Sequence, residues 1–285
     1  MKVVKFLGGL GNQLFQYAFF CALQQTFRKV RADLSGYDSY ERHNGFELDR
    51  IFDIQLPQLT SFERRLFDSQ DRRWAYRKLR RIYGTKNAYY EEKTLFGYDQ
   101  SVFKDRKPRY YWGYWQHIDY IRRVADRLRA DFRFPAFEDV KNIQLAEMLI
   151  DENTVSVHVR RGDYLGDPLL GGICDAGYYQ RALDHIKQHV DYPRFIFFSD
   201  DIPWCQANFP IANALFVDWN TGLESFRDMQ LMSLCKHHII ANSSFSWWGA
   251  WFNQRPSKIV VSPSQWVTAD RLDLSGIILP EFRTI

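Results

Sequence analysis

The chain has 285 residues, 46% of them apolar, enough to fill the cores of two domains of ordinary size. A formal net charge of +4 is too small to mark a nucleic-acid protein, and the four cysteines (Cys21, Cys174, Cys205, Cys235) have neither metal-ligand nor disulfide-framework spacing. The first seven residues are too short an apolar run for a signal peptide, and no stretch approaches the ~20 apolar residues of a membrane span, so a soluble cytoplasmic protein with reduced thiols is expected.

Residues 3–7 predict a first strand, Gly8-Gly9-Leu10-Gly11-Asn12-Gln13 a turn, 14–27 a helix and 30–34 a second strand. Residues 35–57 read as polar and irregular. Residues 61–86 carry nine basic side chains against three acidic ones, interleaved at broadly helical spacing with Phe62, Leu66, Phe67, Trp74, Tyr76, Leu79 and Ile82. An aromatic stretch at 110–115 precedes a helix at 120–129. After Pro135 the pattern changes to helix 138–150, then strands at 155–159, 195–198, 215–217, 238–241 and 258–261, with helices at 178–189, 225–235 and 246–253. Such alternation implies a largely parallel sheet, hence an α/β fold. Two domains are expected: 1–137, an α/β unit with long insertions, and 138–285, a nucleotide-binding α/β unit.

The segment Val155-Ser156-Val157-His158-Val159-Arg160-Arg161-Gly162-Asp163-Tyr164 carries the strongest chemical signal. Its period of two puts His158 and Arg160 on one strand face, with Arg161 leaving at the carboxyl end, where open α/β sheets bind ligands. Paired guanidinium forks match the oxygens of a diphosphate; a structural Arg–Asp ion pair is the plainer alternative. The glycine turn before the first helix suits either an anion at a helix amino terminus or a tight structural turn. Phe198-Ser199-Asp200-Asp201 ends another strand in carboxylates, which fit a guanine edge, a divalent metal or a helix cap. Asn242-Ser243-Ser244-Phe245-Ser246-Trp247-Trp248-Gly249 opens a helix with hydroxyls that bind phosphate or cap, its tryptophans suiting core packing. The basic run 61–86 reads as a solvated helical face, with an anionic membrane surface next and nucleic acid third. Aromatic residues at 17% of the chain suit sugar stacking or core filling.

In order, these motifs resemble the α-1,2-fucosyltransferases of glycosyltransferase family 11. The resembling residues run from Gly8 to Ala18 and from His158 to Tyr164. Phe198-Ser199-Asp200-Asp201, Asn242 to Gly249, Tyr114-Trp115-Gln116 and Phe46-Glu47-Leu48-Asp49 complete the set. The resemblance implies a GT-B-like α/β fold, two Rossmann-type domains facing a cleft, with the donor on the carboxyl-terminal one. It implies inverting transfer of L-fucose from GDP-β-L-fucose to the 2-hydroxyl of a β-galactoside, in an O-antigen or another surface glycan.

By the same resemblance Arg160, Arg161 and Asp163 form the catalytic element, with Arg160 on the diphosphate and Arg161 in support. His158 and Asp200 lie at the guanine end, and Ser243, Ser244, Phe245 and Ser246 near the phosphates. Gly9, Gly11, Asn12 and Gln13 face the donor across the cleft. Asp38, Glu47, Tyr114, Trp115 and Gln116 lie on the acceptor side. A general base is open among Asp38, Glu41, His43, Glu47, Asp49 and His117. No metal, no other cofactor and no nucleic acid is expected, and segment 61–86 is expected to allow peripheral contact with the inner membrane. Alternatives are a GDP-fucose transferase of another linkage, a metal-dependent transferase using Asp200-Asp201, and a noncatalytic nucleotide-sugar or nucleic-acid binding protein.

Overall fold

The computed structural model describes residues 1–37, 44–269 and 271–285. The chain folds as two units, Met1–Arg133 and Phe134–Ile285, each around its own parallel β-sheet.

In the first unit, helix α1 (Leu10–Thr26) is apolar on nearly every side, so it can only be stable buried. Leu14, Phe15, Phe19, Phe20 and Leu23 are fully or almost fully shielded. The helix starts four residues before the expected position, because Leu10 and Gly11 join its first turn. Strands β1 (Lys2–Lys5), β2 (Val30–Asp33), β3 (Tyr89–Glu91) and β4 (Arg109–Trp112) form a sheet in the order β2-β1-β4-β3. All of its pairings are parallel.

The stretch read as irregular contains a short helix, α2 (Leu48–Phe52), whose Leu48, Ile51 and Phe52 are spaced i, i+3, i+4 and buried together. The basic segment forms two helices, α3 (Ser61–Phe67) and α4 (Trp74–Ile82), and α3 starts with a capping box between Thr60 and Glu63. The helix expected at 120–129 is two pieces, α5 (Ile118–Arg122) and α6 (Ala125–Asp131), separated at Val124, whose backbone leaves helical geometry.

The second unit alternates as expected: α7 (Val140–Asp151), β5 (Thr154–Val159), α8 (Ala176–His189), β6 (Arg194–Ser199), α9 (Ile202–Asn208), β7 (Leu215–Val217), α10 (Phe226–Leu234), β8 (His237–Ile239), α11 (Ser244–Phe252), β9 (Val260–Ser262) and β10 (Arg283–Thr284). The sheet order is β10-β9-β8-β5-β6-β7. Central strand β5 is buried along its whole length, as parallel strands covered by helices on both faces must be. Val155, Val157 and Val159 pack with Tyr178, Leu183 and Ile186 of α8. On the other face Ile196 and Phe198 of β6 pack with Leu145 and Leu149 of α7 and Leu231 and Met232 of α10. Residues leading into this unit are tied to α10, because Arg227 and Gln230 both donate to the Pro135 carbonyl at 2.9 Å. Among the described residues no helix is long and apolar enough to cross a membrane.

A polar network sits beyond the end of β7. Asn142 donates to Asn220 (2.8 Å), Trp219 donates to Asn142 (2.8 Å), and Asn220 donates to the Asp228 carboxylate (2.9 Å). Dense protein around Asp228 pushes its carboxyl up to about 7, against the Asn220 hydrogen bond that favours the charged form. In the unfolded chain an aspartate titrates near 3.9, so the native state holds an extra proton between about pH 4 and 7. The stability this confers is complete below that window and lost as the pH rises through 7. Asp228→Asn removes the loss. Its advantage in thermal midpoint over the wild type should grow by roughly 5 °C from pH 5 to pH 8, and an offset independent of pH would refute the assignment.

Candidate active site

In the second unit the chain steps outward from β5 to β6 to β7, then returns to place β8 on the opposite side of β5. Strand order therefore reverses between β5 and β8, and the crevice beyond their carboxyl ends is where open α/β sheets bind ligands. Beyond β5 come Arg160, Arg161 and Gly162; beyond β8 come Asn242 and Ser243, then α11. The Tyr164 hydroxyl donates to the Asn242 carbonyl at 3.4 Å, joining the two strand ends.

Arg160 bridges two carboxylates, 2.7 Å from Asp163 and 3.1 Å from Asp200. Its backbone neighbour Arg161 donates from N–H to Asp200 at 2.9 Å and from Nε to Asp201 at 3.0 Å. The Arg161 guanidinium also lies 4.0 Å over the Trp204 ring. Asp201 caps α9 by accepting from the Trp204 N–H, the capping role open from the sequence. Gly162 is required here by close approach: a Cβ at that position would stand 2.8 Å from an Asp200 oxygen. Two guanidinium groups thus face three carboxylates, so the ion-pair reading describes the cluster without a ligand, and Arg161 is the more firmly pegged of the two.

His158 alternates with Val157 and Val159 and lies 5.7 Å from the Phe245 ring of α11. It is buried, and its Nδ1 has no hydrogen-bond partner among the described residues. Burial, and secondly the Arg160 charge, push its pKa down to about 3, so the ring is neutral at physiological pH. At the start of α11 the Ser243 hydroxyl accepts from the Phe245 N–H at 3.3 Å, and Ser246 donates to the Ser243 carbonyl at 3.4 Å. Ser244 is half-exposed at the same terminus. The Arg160 guanidinium lies 5.6 Å from the Tyr164 ring, and Tyr164 hydrogen-bonds the Ser243 side chain, so His158, Arg160, Asp200, Ser243 and Phe245 are linked by direct contacts or through Tyr164. Trp247 and Trp248 are fully buried, and the Trp247 indole donates to the Ile277 carbonyl at 2.7 Å, so they are core residues.

The first unit repeats the device. Strand order reverses between β1 and β4, and beyond them lie the glycine turn and Gly113-Tyr114-Trp115-Gln116. Across that reversal the Gln116 amide donates to the Asn12 side chain at 2.7 Å. Gly9 is the amino-terminal cap of α1, and Gly11 is buried in its first turn.

Several expected ligand contacts are structural instead. Gln13 is fully buried, donating to the carbonyls of Gly8 (3.0 Å) and Gly45 (2.8 Å) and accepting the Glu47 N–H (2.9 Å). Glu47 is also buried, within 3.2 Å of Arg50, and is bonded by the Leu10 N–H at the start of α1. It supplies the negative charge that the α1 amino end favours. Burial nonetheless raises its pKa, against those two interactions and a hydrogen bond from Asn44. Trp115, expected on the acceptor side, is buried and stacked 4.1 Å from Phe19, and it also lines the pocket beside Glu92.

Of the candidate bases, His117 caps α5 by accepting the Asp119 N–H, and Asp49 accepts the Arg50 N–H at an exposed position. Asp38, Glu41 and His43 lie outside the described residues.

One carboxylate at this edge has no local sequence signal. Glu92 follows β3, a strand of three residues too short to read from periodicity, and accepts the N–H groups of Tyr114 (2.8 Å) and Trp115 (3.2 Å). Gly113 allows the contact: its φ is +157°, and a Cβ there would stand 2.5 Å from the Glu92 Cβ. Burial raises the Glu92 pKa, against those two N–H bonds. With Tyr98, Asp99, Thr94 and Trp115 it lines a pocket of about 240 Å3.

Residues 59–284 match the protein family described as Glycosyl transferase family 11. The chain belongs to that family. It is thus a glycosyltransferase, and its two Rossmann-type units are of the GT-B-like α/β class. It is 32% identical to an Escherichia coli alpha-1,2-colitosyltransferase, over 95% of this chain and 94% of that protein. It is 34% identical to the O-antigen biosynthesis glycosyltransferase WbnK of Escherichia coli, over 91% of this chain and 92% of the relative. In fold it resembles the crystal structure of fucosyltransferase NodZ from Bradyrhizobium, with a TM-score of 0.51, 14% identity, and coverage of 87% of this chain and 91% of that one.

In this glycosyltransferase the Glu92 carboxylate holds the turn that carries Tyr114 and Gln116. Glu92→Ala leaves two shielded amides without an acceptor, a loss of about 1–3 kcal/mol. Glu92→Gln keeps one acceptor oxygen and should lose less. Thermal unfolding of both variants checks this, and wild-type midpoints in both would show that the turn does not depend on Glu92.

Proposed function

We propose that this glycosyltransferase moves L-fucose from GDP-β-L-fucose to the 2-hydroxyl of a terminal β-galactose, with inversion to an α-1,2 linkage, in an O-antigen or related surface glycan assembled in the cytoplasm. The observation that carries the reading is the crevice where strand order reverses beside β5. There a half-buried Arg160, a buried neutral His158 with an unpartnered ring nitrogen, and the amino terminus of α11 converge. That set suits a nucleoside diphosphate: the guanidinium and helix amides for the phosphates, and a neutral imidazole for a base or ribose group. The names of the relatives, alpha-1,2-colitosyltransferase and O-antigen biosynthesis glycosyltransferase, support the linkage and the glycan.

In this reading the galactose 2-hydroxyl oxygen attacks the fucosyl anomeric carbon from the face opposite the leaving group. The bond from that carbon to the β-phosphate oxygen breaks, GDP departs with the electron pair, and the hydroxyl proton passes to a base or solvent. The transition state has oxocarbenium character, with charge growing on the diphosphate. Arg160 stabilises that charge by exchanging Asp163 or Asp200 for phosphate oxygens, while Arg161 holds Asp200 and Asp201 in place. Asp200 and Asp201 stay engaged by Arg161 and the α9 cap throughout, which favours a metal-independent reaction. Within the first unit, Gln116, Tyr114 and the pocket beside Glu92 offer the amide and aromatic groups that suit a sugar acceptor.

A second reading differs only in the donor sugar. The 32% identity to a colitosyltransferase over 95% of the chain favours GDP-colitose, the 3-deoxy counterpart of GDP-fucose. Transfer assays with both donors over a panel of β-galactosides, with the product linkage read by NMR, distinguish them. An α-1,2-fucosyl product is expected, whereas transfer from GDP-colitose alone would replace the donor and another linkage would overturn the proposal. Activity should survive EDTA; loss restored by Mn²⁺ would contradict the metal-independent mechanism. Arg160→Ala should lower kcat by about 10²–10³-fold, as removal of one donor to a developing oxyanion does, with an unchanged circular dichroism spectrum. Near-normal turnover would remove Arg160 from the mechanism.

A further inference from the structure

Nothing in the proposed chemistry uses α3 and α4, yet they hold the charge of the whole protein. Segment 61–86 carries nine basic and three acidic residues, a net of +6, against +4 for the full chain, so everything outside it is net negative. Of the three local carboxylates two are paired with cations, and Asp68 accepts the Gln70 N–H at 2.9 Å. Glu63 pairs with Lys29 at 2.6 Å and Arg31 at 3.7 Å, and Asp71 pairs with Arg73. Arg80 is turned inward and donates to the Asp68 and Asp71 carbonyls, holding the turn between the helices. Arg72, Arg77, Lys78, Arg81 and Lys86 are exposed and have no ion-pair partner among the described residues.

On α4, Trp74, Arg77, Lys78, Arg81 and Ile82 fall at i, i+3, i+4, i+7 and i+8, one face of a helix. That face is outward: Trp74 is 74% exposed and Ile82 67%, with Tyr83 beside them at 52%. Lys78 lies 5.4 Å over the Trp74 ring. Large apolar side chains are normally withdrawn from water, and two on one short helix, ringed by unpaired cations, need an occupant of matching chemistry. We propose that this face of α4 docks the protein on the surface of an anionic phospholipid bilayer. Trp74 and Ile82 enter the headgroup and acyl boundary, while Arg77, Lys78 and Arg81 neutralise lipid phosphates. An aliphatic side chain such as Ile82 gains nothing from a nucleic-acid backbone, which favours lipid over RNA.

Flotation of the 285-residue chain with vesicles tests this, using phosphatidylcholine alone and phosphatidylcholine with a third phosphatidylglycerol. The wild type should bind the anionic vesicles and not the neutral ones, and added salt should weaken that binding. The triple variant Arg77→Glu, Lys78→Glu, Arg81→Glu should bind at least tenfold more weakly. Trp74→Ser with Ile82→Ser should bind comparably weakly while its remaining binding keeps the salt dependence. Thermal unfolding confirms that both variants fold. Failure of the wild type to bind anionic vesicles, or undiminished binding by both folded variants, overturns the proposal. So does tighter binding to a single-stranded RNA oligonucleotide than to the vesicles.

Discussion

Strand β5 is enclosed on both faces, so every polar group along it must be satisfied from within the protein. Thr154 donates to the Leu149 carbonyl at 3.1 Å, Ser156 meets His238 at 2.8 Å, and the His158 carbonyl accepts from Tyr179 at 3.0 Å. The Asn253 amide lies 2.9 Å from the other ring nitrogen of His238, which fixes that histidine as the Nδ1–H tautomer. His158 Nδ1 is the exception, at the end of the strand where the chain opens toward Arg160. A central strand that must hide its polarity concentrates whatever it offers a ligand at its carboxyl end.

Both units are built alike at that end. Strand order reverses beside β5 in one and beside β1 in the other, and each reversal leaves room for turns with strand-end or helix-start polar groups. The electrostatics differ. In the second unit cations and carboxylates are nearly matched, so an anion reaching Arg160 would have to displace Asp163 or Asp200. In the first unit Glu47 already occupies the α1 amino terminus and Glu92 the Tyr114–Trp115 amides. Carboxylates there do internal work, and the side chains left at the edge are amides and aromatic rings.

Much of this was legible in the chain. The alternation through Val155, Val157 and Val159 located β5, and the hydroxyl run at Ser243 located the start of α11. Their adjacency in space was not legible, because it depends on β8 crossing to the far side of β5. Short elements such as α2 and β3 also escaped, since five and three residues offer too little periodicity to separate from a loop.

The sequence by itself determined the family, the α/β alternation and the motifs that end at strand termini, because these are local patterns of side-chain period and turn chemistry. Only the tertiary structure decided which motif residues remain for a ligand and which are consumed in holding the fold. Gln13 and Glu47 are clasps, Arg161 is a peg, and Glu92 lines a pocket with Trp115 that no local pattern announced. The reason is that a buried polar group is decided by its partner. Here those partners come from tens of residues away: Gln13 with Glu47, Arg161 with Asp201, Glu92 with Tyr114.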